Sequence, residues 1–171
     1  DTDTDTDTDT DTDPQDEDCL DGVDNDFNGA TDCWDEACYG SESCTELTYK
    51  VSTFFSDIEM GSLIVELPYA GTTLTLPGSR TDEEVQLRFE AIDTQGLFAV
   101  SDEDEPEASK FVRVAHVWHA FNIGVEGEWF YVTFDHTGGP PPELSCIPTN
   151  VIDKEANILD VSTVGCLIEG L

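Results

Sequence analysis

Residues 62–67 read S-L-I-V-E-L, residues 73–76 read T-L-T-L, and residues 85–92 read V-Q-L-R-F-E-A-I. Apolar and polar side chains alternate in each segment, and a period of two places them on opposite faces of a β-strand. No segment combines helical periodicity with capping residues over three turns, and residues 79–85, S-R-T-D-E-E-V, allow at most one short helix. The pattern therefore predicts strands.

Segments of the same kind extend over residues 47–171. They are rich in Val, Ile, Leu, Thr and aromatic residues, and Gly, Pro, Asp and Asn turn signals separate them. Eight or nine strands over this length predict an all-β fold, a two-sheet antiparallel sandwich. The predicted strands are Leu47–Phe55, Gly61–Pro68, Thr72–Leu76, Val85–Ile92, Leu97–Val100, Phe111–Phe121, Glu128–Phe134, Leu144–Asn150 and Val161–Ile168.

A different pattern precedes this region. Residues 19–38 read C-L-D-G-V-D-N-D-F-N-G-A-T-D-C-W-D-E-A-C, in which carboxylate and amide side chains alternate up to a glycine. This spacing matches positions 1, 3, 5, 6, 9 and 12 of the loop that wraps a calcium ion. In this chain those positions are Asp24, Asp26, Asn28, Gly29, Asp32 and Asp35.

The surrounding segment, residues 14–46, is rich in acidic residues and has no Lys or Arg. Carboxylates packed this closely repel one another until a cation neutralises them, and hard oxygen ligands in a flexible loop suit calcium. An Asp rather than a Glu at the twelfth position predicts modest affinity, and an acidic loop that holds no metal is the alternative. The predicted ligands are Asp21, Asp24, Asp26, Asn28, the Ala30 carbonyl, Asp32, Asp35 and Glu36; of these, Asp21 and Glu36 either complete the shell or serve a second ion.

The six cysteines lie among aspartates and glycines rather than in C-x-x-C pairs, and there are only 3 histidines. An oxidised framework therefore fits better than zinc, which predicts an extracellular or periplasmic protein. The chain begins at Asp1 and shows no signal peptide, so we expect a processed product. Proximity in the sequence predicts the pairs Cys19–Cys33, Cys38–Cys44 and Cys146–Cys166.

The cysteine- and aspartate-rich segment resembles the calcium-binding repeats of thrombospondin type 3 and dockerin modules. It is most similar to the C-x-D-G-x-D-N-D-x-D-G-x-x-D-C-x-D-x-x-C repeats of secreted bacterial surface proteins, with Asn28 replacing one Asp. Farther along, L-I-V-E-L-P-Y, V-R-V-A-H-V, W-F-Y-V-T-F-D and D-K-E-A-N-I-L-D-V-S resemble strands and the closing turn of bacterial cohesin-like domains. That resemblance implies protein–protein recognition or carbohydrate contact through a sheet face, not catalysis.

Residues 1–13 are a strict Asp-Thr alternation, which we call the arm. A segment without apolar residues cannot drive its own folding, so a self-repelling spacer is the first interpretation. In an extended conformation every Asp would face one side, so the arm could instead bind divalent cations or add to the sheet edge of another subunit. Its threonines are also candidates for O-linked sugars.

The formal net charge of −33, from 39 acidic residues against 6 Lys and Arg, excludes nucleic acid and anionic membranes as partners. It favours metal cations and basic partners, or serves only solubility. No apolar run is long enough to span a bilayer. The acidic loop at Asp102, Glu103, Asp104, Glu105 and Glu107 lacks the calcium-loop spacing, so we expect it to be solvated.

No catalytic pattern stands out, because the chain has no G-x-S-x-G elbow and nothing marks a facing pair of carboxylates. His116 and His119 are three residues apart, which sends them to opposite faces of a strand, so we expect satisfied histidines rather than metal ligands. Trp118 and Trp129 are predicted core residues.

Together these patterns predict three units, with bounds 1–13, 14–46 and 47–171. The expected function is that of a non-enzymatic, calcium-stabilised structural protein at the cell surface. It would form a filament through head-to-tail contacts between the arm of one copy and the sandwich of the next, or bind another surface protein. The alternative is a monomeric, surface-tethered adhesin or carbohydrate-binding module.

Overall fold

A computed structural model describes residues 17–55, 58–92, 94–103, 109–118 and 127–171. Within these ranges the chain forms nine β-strands, one short α-helix and several 3-10 turns. The strands are β1 (Glu46–Phe55), β2 (Met60–Pro68), β3 (Leu74–Thr75), β4 (Phe89–Ala91), β5 (Leu97–Glu103), β6 (Phe111–Val117), β7 (Gly127–His136), β8 (Ile147–Asp153) and β9 (Val164–Gly170); the helix is α1 (Glu83–Gln86).

The strands form two antiparallel sheets. The five-stranded sheet has the order β3-β7-β1-β9, and β4 also pairs with β7. The four-stranded sheet has the order β5-β6-β2-β8. The prediction of an all-β, two-sheet antiparallel sandwich is confirmed.

The core lies between the sheets and follows the period-two pattern. On β2, Leu63, Val65 and Leu67 are fully buried, and on β6 so are Val112 and Val114. The residues between them are partly exposed, because alternate side chains of a strand point to opposite faces of the sheet.

The prediction of a strand over Val85–Ile92 was wrong in its first half. There the chain makes α1, in which the Gln86 N–H donates to the Asp82 carbonyl, and only Phe89–Ala91 pairs as a strand. The helical turn buries Val85 completely, so one apolar contact outweighs the alternation of the segment. The short helix that residues 79–85 allow is therefore present.

Three other strands begin later than predicted, and the first is β3, which begins at Leu74 instead of Thr72. The strand predicted at Leu144 begins at Ile147, where pairing with Glu66 of β2 begins. The strand predicted at Val161 begins at Val164, because the Asp160 carboxylate accepts the Ser162 N–H and holds residues 161–163 in a 3-10 turn. The strand predicted over Phe111–Phe121 ends at Val117, and residues 119–121 lie outside the described part of the chain.

Candidate metal centre

The two disulfides of the N-terminal unit, residues 14–46, which we call the module, interleave. Cys19 pairs with Cys38 and Cys33 pairs with Cys44, whereas the prediction of nearest-neighbour pairs was wrong for these four cysteines. Two consecutive 3-10 turns, Asp32–Trp34 and Glu36–Cys38, turn the chain back so that Cys38 faces Cys19. Cys33 is then left for the cysteine that immediately precedes β1.

The third predicted pair, Cys146–Cys166, is confirmed, and it joins β9 to the segment that leads into β8. Three disulfides indicate an oxidising environment. Within residues 17–46, Cys19–Cys38 spans the loop, and Cys33–Cys44 ties the end of the loop to the segment that precedes β1.

Inside this frame the carboxylates of Glu17, Asp24 and Asp26 form a cluster. One oxygen from each lies within 4.8 Å of the others. Glu17 is only 8% exposed, and its two oxygens accept the backbone N–H groups of Asn25, at 2.8 Å, and Asp32, at 3.0 Å. The side chain of Glu17 therefore ties together the beginning and the end of the loop.

The loop backbone positions the other two carboxylates. The two oxygens of Asp24 accept the N–H groups of Asn28, at 3.0 Å, and Gly29, at 2.9 Å, while Asp26 also accepts the Asn28 N–H at 3.0 Å. Gly29 has a φ of +97°, which an L side chain rarely adopts, so a glycine permits the reversal here. The first and third loop positions, Asp24 and Asp26, are thereby held beside each other.

The side-chain amide of Asn28 lies between two carboxylates. Its Nδ2 donates to Asp26 at 2.9 Å and to Asp35 at 2.6 Å, and Asp35 is 1% exposed. Asp35 also caps the second 3-10 turn by accepting the Ala37 N–H at 2.6 Å. The Asn28 amide thus donates to both carboxylates and partly offsets the repulsion between them.

The remaining predicted ligands are engaged in backbone turns. Asp21 accepts the Val23 N–H at 2.8 Å, Asp32 accepts the Gly22 N–H at 3.0 Å, and the Ala30 N–H donates to the Asn28 amide oxygen at 2.9 Å. Glu36 lies exposed in the second 3-10 turn. The full ligand set stays a prediction, of which the structure brings Asp24 and Asp26 together.

Sequence reasoning missed Glu17. This residue precedes Cys19 and lies outside the twelve-residue loop pattern, so no motif position points to it. The available signal was the acidic run at residues 16–18 directly before the first cysteine of the module.

The chemistry of this donor set fits calcium. The clustered groups are carboxylate oxygens, and residues 17–46 include no Lys or Arg to neutralise them. Calcium accepts hard oxygens in flexible geometry, whereas zinc prefers nitrogen and sulfur ligands in a closed tetrahedron.

The module also packs on the sandwich through Trp34. The Trp34 indole N–H donates to the Leu171 carbonyl at 2.5 Å, and its ring meets Tyr49 edge-on with centroids 5.4 Å apart. Gly170 of β9 passes against the same ring, where a Cβ atom would overlap it. Tyr49 is buried, which raises the pKa of its phenol above the ordinary value, and its hydroxyl donates to the Pro142 carbonyl at 2.8 Å. Trp34 thus joins the module to β1 and to the C-terminal strand β9 by direct contacts.

The histidine and tryptophan predictions are confirmed where the structure describes those residues. His116 is fully buried; its Nδ1 accepts the Trp129 indole N–H at 3.0 Å, which leaves Nε2–H to donate to the Gln95 carbonyl at 3.1 Å. Trp118 stacks on the imidazole at 4.2 Å, and both tryptophans are core residues. His119 lies outside the described residues.

The predicted acidic loop is described only at its start. Asp102 is 1% exposed and accepts a hydrogen bond from the Tyr69 hydroxyl at 2.6 Å. The prediction of a solvated loop was therefore wrong for this residue, which lies in the interior. Glu103 ends β5 and is partly exposed, and Asp104, Glu105 and Glu107 lie outside the described residues.

Comparison of the chain with protein-family models, with curated proteins and with solved structures gives no match. In the described ranges, no helix has the length and the apolar character needed to cross a membrane.

Proposed function

We propose that this chain is a non-enzymatic, calcium-stabilised extracellular structural protein. The observation that carries the proposal is the cluster of Glu17, Asp24 and Asp26, with Glu17 almost fully buried in a module that lacks cationic side chains. Holding three carboxylates together without a cation is costly, and a bound calcium ion would offset that cost in the folded module only.

The surroundings of the cluster favour a permanent structural ion over a sensor. Sensor loops of the EF-hand type lie between two helices that open and expose an apolar groove. Here the described elements next to the loop are 3-10 turns of three residues, and disulfides fix the ends of the loop. Calcium would therefore stiffen a junction that Trp34 already connects to the sandwich.

The charge distribution supports the further proposal of assembly into a surface filament. All six Lys and Arg residues lie within residues 47–171, whereas the arm and the module contain only acidic charges. Contact between the arm of one copy and the sandwich of the next would pair two different surfaces, and such a head-to-tail contact propagates instead of closing.

The experiment is light scattering and negative-stain imaging of the full chain, first with calcium and then with EGTA. We expect elongated particles in calcium that a variant lacking residues 1–13 does not form. A monomer under both conditions would refute the filament, and a melting temperature that does not respond to calcium would refute the metal site.

A further inference from the structure

The outer face of the four-stranded sheet is apolar over most of its width. In its first row, Leu97, Val117 and Ile152 flank Ser62 across the four strands, and Leu97 and Val117 are 66% and 48% exposed. The alternate residues of these strands are the buried core positions, so these side chains point away from the core.

The second row continues this surface. Ala99, Ala115 and Ile64 are neighbours across β5, β6 and β2, and Asn150 follows on β8. Small residues in the middle of the row leave the face flat. On β8, Ile147 extends the apolar surface beside Glu66 and is 44% exposed.

The charged side chains in the middle of this face form a single group. Arg113 on β6 lies 2.8 Å from Glu66 on β2 and 3.8 Å from Glu103 on β5. Two carboxylates and one guanidinium sum to a charge of −1, whereas the whole chain has a net charge of −33. Among the residues that the structure describes, this face therefore carries both signs and a net charge of −1.

Its size is that of a small interface, below the standard size. Four strands about 4.8 Å apart and seven residues at about 3.4 Å each span roughly 450 Å² in projection. Contiguous exposed apolar patches beyond a few hundred Å² mark interaction sites, and a standard interface covers about 800 Å² of accessible surface on each partner. A contact made by this face alone would be reversible.

We infer that this face binds the same face of a second copy, with the two sheets packed against each other. An arm with an aspartate at every second position would bring dense negative charge to a face without a free guanidinium, so the arm is a poor occupant. A glycan is disfavoured because sugars stack on exposed aromatic rings. Among the described outer positions the one aromatic residue is Phe111, and the Arg113 guanidinium covers its ring, 5.2 Å from the ring centroid. Close approach of two anionic copies is less unfavourable where each presents a cationic side chain beside its carboxylates.

This inference rests on the proposed structural role, because it names a second contact between copies. This contact pairs two copies, whereas the arm contact extends the filament. Two-fold pairing buries identical surfaces, and the group of Arg113 and its two carboxylates offers both partners of each ion pair to the other copy. The arm contact and the face contact are separable by mutation.

The test is sedimentation velocity of the full chain in calcium over a series of concentrations, at low and at high NaCl. We expect reversible pairing that strengthens with salt, because salt screens the repulsion between the anionic copies. Ala115→Lys, at the centre of the face, should weaken pairing at least about tenfold, the equivalent of about 1.4 kcal/mol. Thr133→Lys, which adds the same charge to the outer face of the five-stranded sheet, is the matched control.

The melting temperatures of both variants establish that they fold. Equal pairing of wild type and Ala115→Lys, or equal loss in both lysine variants, would overturn the inference. Pairing that survives deletion of residues 1–13 but not Ala115→Lys would support the face contact even where the filament fails. If filaments form but neither the wild type nor Ala115→Lys pairs, the arm contact is supported and the face contact is refuted.

Discussion

Replacing Trp34 by alanine tests whether the module and the sandwich unfold as one unit. The change removes the edge contact with Tyr49, which is worth about 0.5–1.5 kcal/mol, and the hydrogen bond to the Leu171 carbonyl, worth about 0.5–1.5 kcal/mol. With the apolar area of a half-buried indole, we expect a loss of about 2–3 kcal/mol in the free energy of unfolding. For a chain of this size the melting temperature should fall by about 4–12 °C.

The informative readout is the response to calcium. In the wild type, saturating calcium at about 100 times its dissociation constant should add about 2.7 kcal/mol to the stability of whatever unfolds together with the loop. In Trp34→Ala the sandwich should lose most of that increment, because Trp34 transmits the order of the loop to β1 and β9. Differential scanning calorimetry with calcium and with EGTA measures both effects.

Trp34→Phe is the matched control, because it keeps an aromatic edge against Tyr49 and removes only the indole hydrogen bond. It should cost about 1 kcal/mol and keep the calcium increment. A Trp34→Ala protein that melts at the wild-type temperature, or that gains as much from calcium as the wild type, would refute the coupling.

Three further predictions address other parts of the fold. Gly170→Ala should lower the melting temperature and red-shift the Trp34 fluorescence, because the new Cβ overlaps the indole ring; an unchanged emission spectrum would argue against this contact. His116→Leu should cost about 1–3 kcal/mol in chemical denaturation, because the buried Trp129 indole N–H loses its acceptor, and a neutral result would refute that hydrogen bond as a stabilising one. Hydrogen bonds, first from the Asn157 side chain and then from the backbone of the turn at residues 154–157, lower the pKa of Asp153. The Asp153 carboxylate therefore contributes to stability above the ordinary Asp pKa, and this contribution is lost as the pH falls through the lowered pKa. Asp153→Asn should therefore reduce the difference in stability between neutral and strongly acidic pH, and an unchanged acid titration of stability would contradict this.

The sandwich could be predicted because its signal is local. Apolar residues at every second position, such as Leu63, Val65 and Leu67, indicate which face of a strand is buried. The helical turn at Val85 could not be predicted from the same pattern, because the burial of Val85 depends on core residues that are distant in the sequence. Tertiary packing outweighed local alternation there.

The candidate metal site was only partly predictable for a similar reason. The loop spacing identifies Asp24 and Asp26, whose positions the local backbone sets. Glu17 reaches the site because interleaved disulfides and hydrogen bonds to Asn25 and Asp32 bring it there. Neither a disulfide map nor a contact across the loop is encoded in residue spacing.

The central claim is that the cluster at Glu17, Asp24 and Asp26 binds calcium, and isothermal titration calorimetry of the EGTA-treated, dialysed chain measures it directly. We predict saturable calcium binding in the wild type that Glu17→Gln weakens strongly, while Glu42→Gln, an exposed acid of the same module, binds like the wild type. Absence of saturable binding in the wild type, or equal binding by Glu17→Gln, would contradict the account.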